Sequence, residues 1–178
     1  MIKRKEKNMK FCPMCGTSQE DPRSTVCKLC DYEEKPIEEL SEQEIQELMA
    51  PYEYERTGDG VRIEAVKNGR NLALRGNVAI PHFVTEIAAD AFSCCKFLAR
   101  IGLPKGLRSI GDGAFAHCRD LFDVFIPEGV SYIGKGAFCS CYDLGVICAA
   151  APTKPDGWDS EWLSGCSAKV EWSGTDEA

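Results

Sequence analysis

The sequence has few of the residues, and none of the long apolar segments, on which many functions depend. It contains two histidines, His82 and His117, and no apolar run approaches the ~18–20 residues needed to span a bilayer. Its first residues, MIKRKEKNMK, are basic but lack the apolar segment of a secretory signal peptide. No P-loop, GxGxxG after a strand, HExxH or GxSxG is present. These absences predict a cytoplasmic protein that is not an enzyme, has no small-molecule substrate and does not bind a membrane.

Charge is distributed unevenly along the 178 residues, whose formal net charge is −7. Residues 1–35 contain 8 Lys/Arg and 6 Asp/Glu, a net +2, whereas residues 36–178 contain 13 and 22, a net −9. An acidic surface repels phosphate backbones, which disfavours nucleic acid as a partner of the larger part. Nucleic-acid binding stays open only for the basic N-terminal segment.

Eleven cysteines in a protein expected in a reducing compartment indicate metal ligation and buried thiols more than disulfides. Near the N-terminus Cys12 and Cys15 form one CxxC pair, and Cys27 and Cys30 form a second after eleven residues. Four thiolates at this spacing suit a closed, tetrahedral Zn²⁺ site. Residues 9–33 resemble the short zinc ribbons of bacterial proteins, which implies structural zinc. Iron or a redox dithiol remains an alternative for the same four cysteines.

Residues 34–51 read as a polar linker followed by a short helix. Ser41 and Glu44 form a capping-box pattern, and the apolar stripe behind them predicts a helix that ends before Pro51. Residues 52–77 then alternate apolar and polar side chains around a GDG turn. This pattern predicts a β-hairpin that covers the N-terminal end of whatever follows.

A phrase of 23 residues recurs from the middle of the chain onward. Each copy places apolar residues at LxxIxL, which predicts a short strand, and at AFxxCxxL, which predicts one or two buried helical turns. Asp90, Gly113 and Gly136 stand where the N-cap of that helix is expected. The columns that recur at this period include Phe92, Phe115 and Phe138; Cys95, Cys118 and Cys141; and Ile87, Ile110 and Ile133.

These phrases, such as LRSIGDGAFAHCRDLFDVFIP, resemble the BspA-type leucine-rich repeat across residues 78–148. The resemblance implies a β-rich α/β fold, a right-handed solenoid of about 3–4 turns with a parallel sheet on one face. Residues 149–174 resemble the tryptophan-rich closing cap of the same family. It implies that Trp158 and Trp162 lie over the last repeat, with Val170 and Trp172 on a final strand.

The repeated cysteines, Cys95, Cys118 and Cys141, are interpreted as small apolar side chains packed between stacked turns. A metal ladder or redox role is the alternative. His117 sits in a variable column with Cys94, and an exposed variable residue is favoured there over a Cys94–His117 metal pair.

Recognition of a partner is therefore the predicted function. Variable positions of a solenoid form rows that commonly bind proteins, and exposed aromatics often dominate such interfaces. The alternative is that the aromatics only pack against the caps. We expect a protein-interaction module, with a nucleic-acid accessory role of the N-terminal ribbon as the alternative. The predicted partner-binding residues are Arg100, Phe122, Phe125, Arg108 and Tyr132.

Overall fold

The computed structural model describes residues 10–11, 18–19, 37–58, 60–67 and 74–173. At the N-terminus strand β1 (Lys10–Phe11) pairs antiparallel with β2 (Ser18–Gln19). The four predicted zinc ligands, Cys12, Cys15, Cys27 and Cys30, lie outside the described residues, as does Asp59 in the predicted hairpin turn.

A short helical segment leads into the main body of the fold. A single 3₁₀ turn (Ile37–Glu39) precedes helix α1 (Glu42–Leu48), which ends before Pro51 as predicted. The predicted capping box is confirmed, because the Ser41 side chain accepts from the Glu44 amide while Glu44 accepts from the Ser41 amide. Helix α1 then turns Ile45 toward the core, where it is buried.

The expected hairpin is formed by β3 (Tyr52–Thr57) and β4 (Gly60–Val66). Its second strand, β4, also pairs in parallel with the first strand of the repeats, β6 (Val84–Ile87). The hairpin is therefore continuous with the repeats through backbone hydrogen bonds. The remaining strands are β5 (Gly76–Ala79), β6 (Val84–Ile87), β7 (Leu98–Gly102), β8 (Ser109–Ile110), β9 (Asp123–Ile126), β10 (Tyr132–Ile133), β11 (Val146–Ala149) and β12 (Lys169–Trp172).

Two five-stranded sheets flank one core. We call the sheet ordered β10-β8-β6-β4-β3 sheet A, and the sheet ordered β12-β11-β9-β7-β5 sheet B. Sheet B is parallel throughout, and sheet A is parallel except for its hairpin. The family resemblance implied a single parallel sheet, so the second one is a correction. It forms because the two residues that end at the second inward position after each proline, such as Ser109–Ile110, are also extended and pair with the equivalent residues of the next turn.

The solenoid has about five turns, not the three to four predicted. The prediction counted only copies of the full 23-residue phrase. Strands of the solenoid also form where only the inward-facing apolar positions of the phrase are present. Strand β4 with β5 supplies a turn before the phrase begins, and a bridge from Ile133 to Trp158 with β12 supplies one after it ends. Strand β5 also spans the predicted boundary at residue 77 between hairpin and repeats.

The predicted helical turns of the repeats are wrong, since residues 74–173 are described without a gap and contain no helix. Asp90 and Cys94 have φ values of 56° and 63°, and the same two columns are left-handed in the next two repeats. Such residues interrupt a right-handed helix. The amides of Asp90, Phe92 and Cys94 bond to the adjacent turn instead, as Phe92 N does to Ala114 O at 2.8 Å. The predicted N-caps Asp90, Gly113 and Gly136 are therefore turn residues with positive φ.

The aromatic column is the central feature of the core. Phe92, Phe115 and Phe138 are fully buried, and their rings stack with centroids 5.0 Å and 5.2 Å apart. The prediction that they line up in a file is confirmed. Tyr52 meets the first ring of this file at 5.8 Å, and Trp162 meets the last at 5.9 Å.

At Gly111 and Gly134 the turns stack so closely that a side chain would not fit. A Cβ built on Gly111 would lie 2.4 Å from Ala89 N, and one on Gly134 would lie 2.6 Å from Asp112 N. Real Cβ atoms do not approach backbone atoms at these distances. Glycine at this position therefore permits the contact between successive turns.

Candidate interaction surface

Sheet B presents two rows of side chains on its outer face. The alternation of the strands turns Ile101, Val124 and Ile147 into the core, so the residues on either side of them point outward. The strand register aligns these outward residues across the turns. One row is Asn77, Arg100, Asp123, Val146 and Lys169; the other is Ala79, Gly102, Phe125, Cys148 and Glu171.

Arg100 is held in place by two neighbours on the following turn. Its Nε donates to both carboxylate oxygens of Asp123, at 3.0 Å and 3.1 Å. Its guanidinium carbon also lies 4.3 Å from the centre of the Phe122 ring, a cation–π distance. Arg100, Phe122 and Asp123 therefore form one pre-organised group in which the arginine charge is paired with a carboxylate.

The middle of the outer face is apolar. Phe125, Val146 and Cys148 are half-buried there, and we call these three residues the apolar centre. Burial raises the pKa of the Cys148 thiol, as do the nearby carboxylates of Glu171 and Asp123, so the thiol stays protonated near neutral pH. The neutral thiol therefore adds a weakly polar side chain beside the aromatic ring of Phe125 and the aliphatic side chain of Val146.

Ion pairs border the apolar centre on two sides. The Arg100–Asp123 pair lies toward the N-terminal turns, and Lys169 Nζ meets Glu171 Oε1 at 3.0 Å on the last strand. An apolar core within a polar, solvent-exposed rim is the usual anatomy of a protein–protein interface.

Arg108 and Tyr132 lie on the other sheet. They belong to the segments around β8 and β10, and the outward row of sheet A runs Glu55, Arg62, Glu86, Ser109 and Tyr132. Asp112 raises the pKa of Tyr132, whose hydroxyl lies 3.4 Å from the Asp112 carboxylate. The five predicted residues therefore divide between two sheets and do not form one patch. Three of them, Arg100, Phe122 and Phe125, lie together.

Sequence analysis missed two exposed aromatics beside this surface. Phe97 (43% exposed) comes directly before β7, as Phe122 (39% exposed) does before β9, and Tyr142 (65% exposed) lies in the turn that precedes β11. The Arg75 guanidinium carbon lies 4.7 Å from the centre of the Phe97 ring, which repeats the arrangement of Arg100 over Phe122. These aromatics do not share a column at the 23-residue period, so the repeat alignment contained no signal for them.

The repeated cysteines have the packing environment that was predicted for them. Cys95, Cys118 and Cys141 are fully buried. The Cys118 thiol donates to Phe92 O at 3.2 Å and the Cys141 thiol to Phe115 O at 3.1 Å, so each links its turn to the preceding one. Burial raises the pKa of Cys141 to about 12 and that of Cys118 further still. Such thiols are inert, because the thiolate is the reactive form.

The prediction that His117 is an exposed variable residue agrees with its position in the structure. His117 is exposed and has φ 61°, and Cys94 occupies the equivalent left-handed position one turn earlier. Among residues 37–58, 60–67 and 74–173, no three His, Cys, Asp or Glu side chains converge as a metal site. Over the same residues, none of the helices has the length and apolar character to cross a membrane.

The C-terminal segment places its three tryptophans at the end of the core. Trp158 and Trp162 are buried with ring centroids 5.0 Å apart, and Trp172 on β12 lies 5.6 Å from Trp158. The Trp158 indole donates to Val130 O at 3.0 Å, which ties the segment to the preceding turn.

Comparison with known proteins agrees with this architecture. Residues 70–154 match the family described as BspA type Leucine rich repeat region, in six copies. These residues are leucine-rich repeats. No curated protein matches the sequence.

Two solved leucine-rich repeat structures are similar to the chain. A leucine-rich repeat protein from Bacteroides capillosus is 25% identical with a TM-score of 0.55, and the match covers 70% of this chain and 95% of that one. A leucine rich cell surface protein from Faecalibacterium prausnitzii is 23% identical with a TM-score of 0.52, over 69% of this chain but only 38% of that one. The second likeness shows the fold alone. Leucine-rich repeats are typical protein-interaction folds, and nothing in the described residues points to catalysis.

Proposed function

We propose that the protein is a non-enzymatic interaction module whose leucine-rich repeats bind a protein partner through the outer face of sheet B. The observation that carries this proposal is the apolar centre, Phe125, Val146 and Cys148, between two ion pairs on a parallel sheet. Burying a half-exposed aromatic at the centre of such a face contributes more to affinity than any residue at its rim.

The neighbouring aromatics extend the proposed surface. Phe122 is stacked under Arg100, and both are oriented before any partner arrives. Side chains that are already ordered lose less conformational entropy on binding. Because Arg100 is paired with Asp123, the partner requires apolar and aromatic complementarity more than a strong opposite charge.

Affinity capture with paired surface variants tests this proposal. The full chain is used as bait in a lysate of the native cell, and bound proteins are compared between wild type and Phe125→Ala. Tyr132→Ala is the matched control, because it removes a comparable exposed aromatic (46% exposed) from sheet A. We expect Phe125→Ala and Arg100→Ala to lose a partner that Tyr132→Ala retains. If only Tyr132→Ala loses the partner, the binding site lies on sheet A. If all three variants retain the partner, neither surface is the binding site.

We further propose that Cys12, Cys15, Cys27 and Cys30 hold one structural zinc ion in residues 9–33. The donor set supports this, since four thiolates leave no open coordination position and satisfy Zn²⁺ completely. The first CxxC pair also falls between two strands that pair antiparallel, β1 and β2. When bound, the metal would supply folding free energy to a segment too short for a core of its own.

Metal analysis tests the zinc proposal separately. We expect one zinc per chain in the purified protein, and none after Cys12→Ser with Cys27→Ser. The matched control is Cys118→Ser, which alters a buried repeat cysteine and should leave the metal content unchanged. Zinc that persists in the double variant, or that is lost in the control, would overturn the assignment.

Two finer aspects of function are also proposals. The cytoplasm is the proposed location, and fractionation of the native cell distinguishes it from the cell surface. A nucleic-acid accessory role remains the second candidate because residues 1–35 have a net charge of +2 in an otherwise acidic chain. If this role is correct, the full chain binds RNA or DNA with an affinity that falls steeply as the salt concentration rises. The double variant Cys12→Ser with Cys27→Ser should then no longer bind nucleic acid.

A further inference from the structure

Two half-buried cysteines lie on adjacent turns at the C-terminal end of the solenoid. Cys139 belongs to the last copy of the repeated phrase, and Cys166 belongs to the C-terminal segment that follows it. The Phe138 amide donates to Trp162 O at 3.1 Å, which sets these two turns side by side. Because both cysteines are only half-buried, a small oxidant in solution reaches them more readily than it reaches the buried thiols of the repeated column.

The backbone brings the two cysteines together at a pair of left-handed positions. Ser140, directly after Cys139, has φ 55°, and Gly165, directly before Cys166, has φ 69°. A Cβ built on Gly165 would lie 3.7 Å from Ser140 Oγ and 3.8 Å from Cys139 Sγ, which is ordinary van der Waals contact. The Cys139 thiol therefore lies against the residue that precedes Cys166.

The Cys166 thiol points back toward the turn that contains Cys139. Its sulfur donates to Cys141 O at 3.5 Å, and Cys141 follows Cys139 closely in the same turn. Burial raises the pKa of Cys166, a hydrogen bond from the Ala168 backbone lowers it, and the neighbouring Cys139 thiol raises it again. One thiol affects another in this way only over a short distance. Both sulfurs thus occupy the gap between the same two turns.

The gap between adjacent turns has the size that a disulfide bridges. Disulfides join Cα atoms roughly 4.4–6.8 Å apart, and stacked strands lie about 4.8 Å apart. Among the described cysteines, Cys94 and Cys148 are also half-buried but have different neighbours. Cys148 lies beside the carboxylates of Glu171 and Asp123, and Cys94 lies near Cys118, which is fully buried. The pair at the C-terminal end therefore combines accessibility with a second accessible thiol on the next turn.

From these observations we propose that Cys139 and Cys166 form a reversible disulfide that locks the C-terminal segment onto the last repeat, with a peroxide as the oxidant. The disulfide closes a loop that contains Trp158 and Trp162, the two buried tryptophans at the end of the core. Since a disulfide stabilises mainly by restricting the unfolded chain, oxidation should hold this end of the solenoid closed. The proposal does not depend on partner binding at the apolar centre, and Phe125→Ala should leave the disulfide intact.

The reaction balances with one molecule of hydrogen peroxide. The Cys139 thiolate attacks one peroxide oxygen and breaks the O–O bond, which yields a sulfenic acid and, with the proton that the thiol released, one water. The Cys166 sulfur then attacks the sulfenic sulfur and forms the S–S bond, and the displaced hydroxyl leaves with the Cys166 proton as a second water. The two sulfurs lose two electrons and the peroxide gains them. Cys139 takes the first step because burial raises the pKa of Cys166 and the thiolate is the reactive form.

Peptide mapping of the full chain tests the pairing. After treatment with hydrogen peroxide, the remaining thiols are alkylated in denaturant and the protein is digested with chymotrypsin, which cleaves after Tyr142 and Trp162 and so separates the two cysteines. We expect the peptide that ends at Tyr142 to be joined to the peptide that contains Cys166, and dithiothreitol should release the two. Cys139→Ser should abolish the joined peptide. Cys94→Ser is the matched control, because it removes another half-buried cysteine, and it should retain the joined peptide.

A further variant distinguishes Cys139 from Cys141, which lies in the same peptide. Cys141→Ala should retain the joined peptide; loss in this variant together with retention in Cys139→Ser would show that the pairing is wrong. Thermal unfolding provides a second measurement. Peroxide should raise the Tm of the wild type by about 5–10 °C, and dithiothreitol should reverse the rise. The Tm of Cys139→Ser should not rise. An oxidised wild type without the joined peptide, or an equal rise in the Tm of Cys139→Ser, would each overturn the proposal.

Discussion

Removing one ring from the aromatic column should destabilise the whole solenoid. Phe115 is fully buried between Phe92 at 5.0 Å and Phe138 at 5.2 Å, so Phe115→Ala leaves a cavity in the middle of the column. Such truncations cost about 3–5 kcal/mol in unfolding free energy. For a chain of this size that corresponds to a fall in Tm of roughly 6–20 °C.

Urea denaturation followed by far-UV circular dichroism measures this loss. The slope of the transition is compared with that of the wild type, because each turn contacts only its neighbours and a decoupled array would unfold with a smaller slope. Phe115→Leu retains most of the apolar volume and loses the stacking, so we expect a cost of about 1.5 kcal/mol or less.

The matched control is Phe122→Ala, which removes an identical ring that is 39% exposed. It loses the contact with Arg100 but creates no cavity, so its cost should remain below about 1 kcal/mol. If Phe115→Ala and Phe122→Ala destabilise the protein equally, the stacked column is not the centre of the core and the reasoning fails.

Three further predictions concern individual contacts. Gly111→Ala should cost about 1–3 kcal/mol or more in the same urea assay, because its Cβ would meet the backbone of Ala89 at 2.4 Å; a neutral effect would contradict the close stacking of the turns. Burial raises the pKa of the Cys141 thiol from 9.0 to about 12, so its stabilising contribution is complete below pH 9 and is lost as the pH rises toward 12. Cys141→Ala should therefore lose less stability than the wild type at alkaline pH. If the two proteins have identical profiles of stability against pH, Cys141 is not the cause of the alkaline loss. Ser41→Ala should cost about 0.5–2 kcal/mol and speed hydrogen exchange in helix α1, whereas unchanged exchange would show that the capping box contributes nothing.

Much of the interior could be predicted from the sequence because every turn must satisfy the same requirement. A column that faces the core in one turn faces it in all turns, so apolar residues recur 23 positions apart, as Phe92, Phe115 and Phe138 do. The Arg100–Asp123 pair follows from the same rule, since residues one period apart are neighbours on adjacent strands. The period alone aligns the two residues on adjacent strands, and the structure shows that they form an ion pair.

The path of the chain between the strands required the structure. The spacing of Ala91, Phe92 and Cys95 suits a helix equally well, but Asp90 and Cys94 adopt positive φ, and the amides of Asp90, Phe92 and Cys94 bond to the next turn. Whether an amide bonds within its own turn or to the adjacent one depends on how closely the turns stack. That spacing is a property of the assembled array and is not encoded in one repeat.

The candidate surface shows the same contrast between what the sequence determines and what the structure determines. Sequence alone determined that this chain is a repeat protein with an apolar file at its centre, because burial restricts each column to few residue types. Only the tertiary structure decided which variable residues meet. It separated Arg108 and Tyr132 from Phe125 and placed the Phe122 ring under Arg100, because exposed positions carry no packing requirement and so leave no periodic pattern.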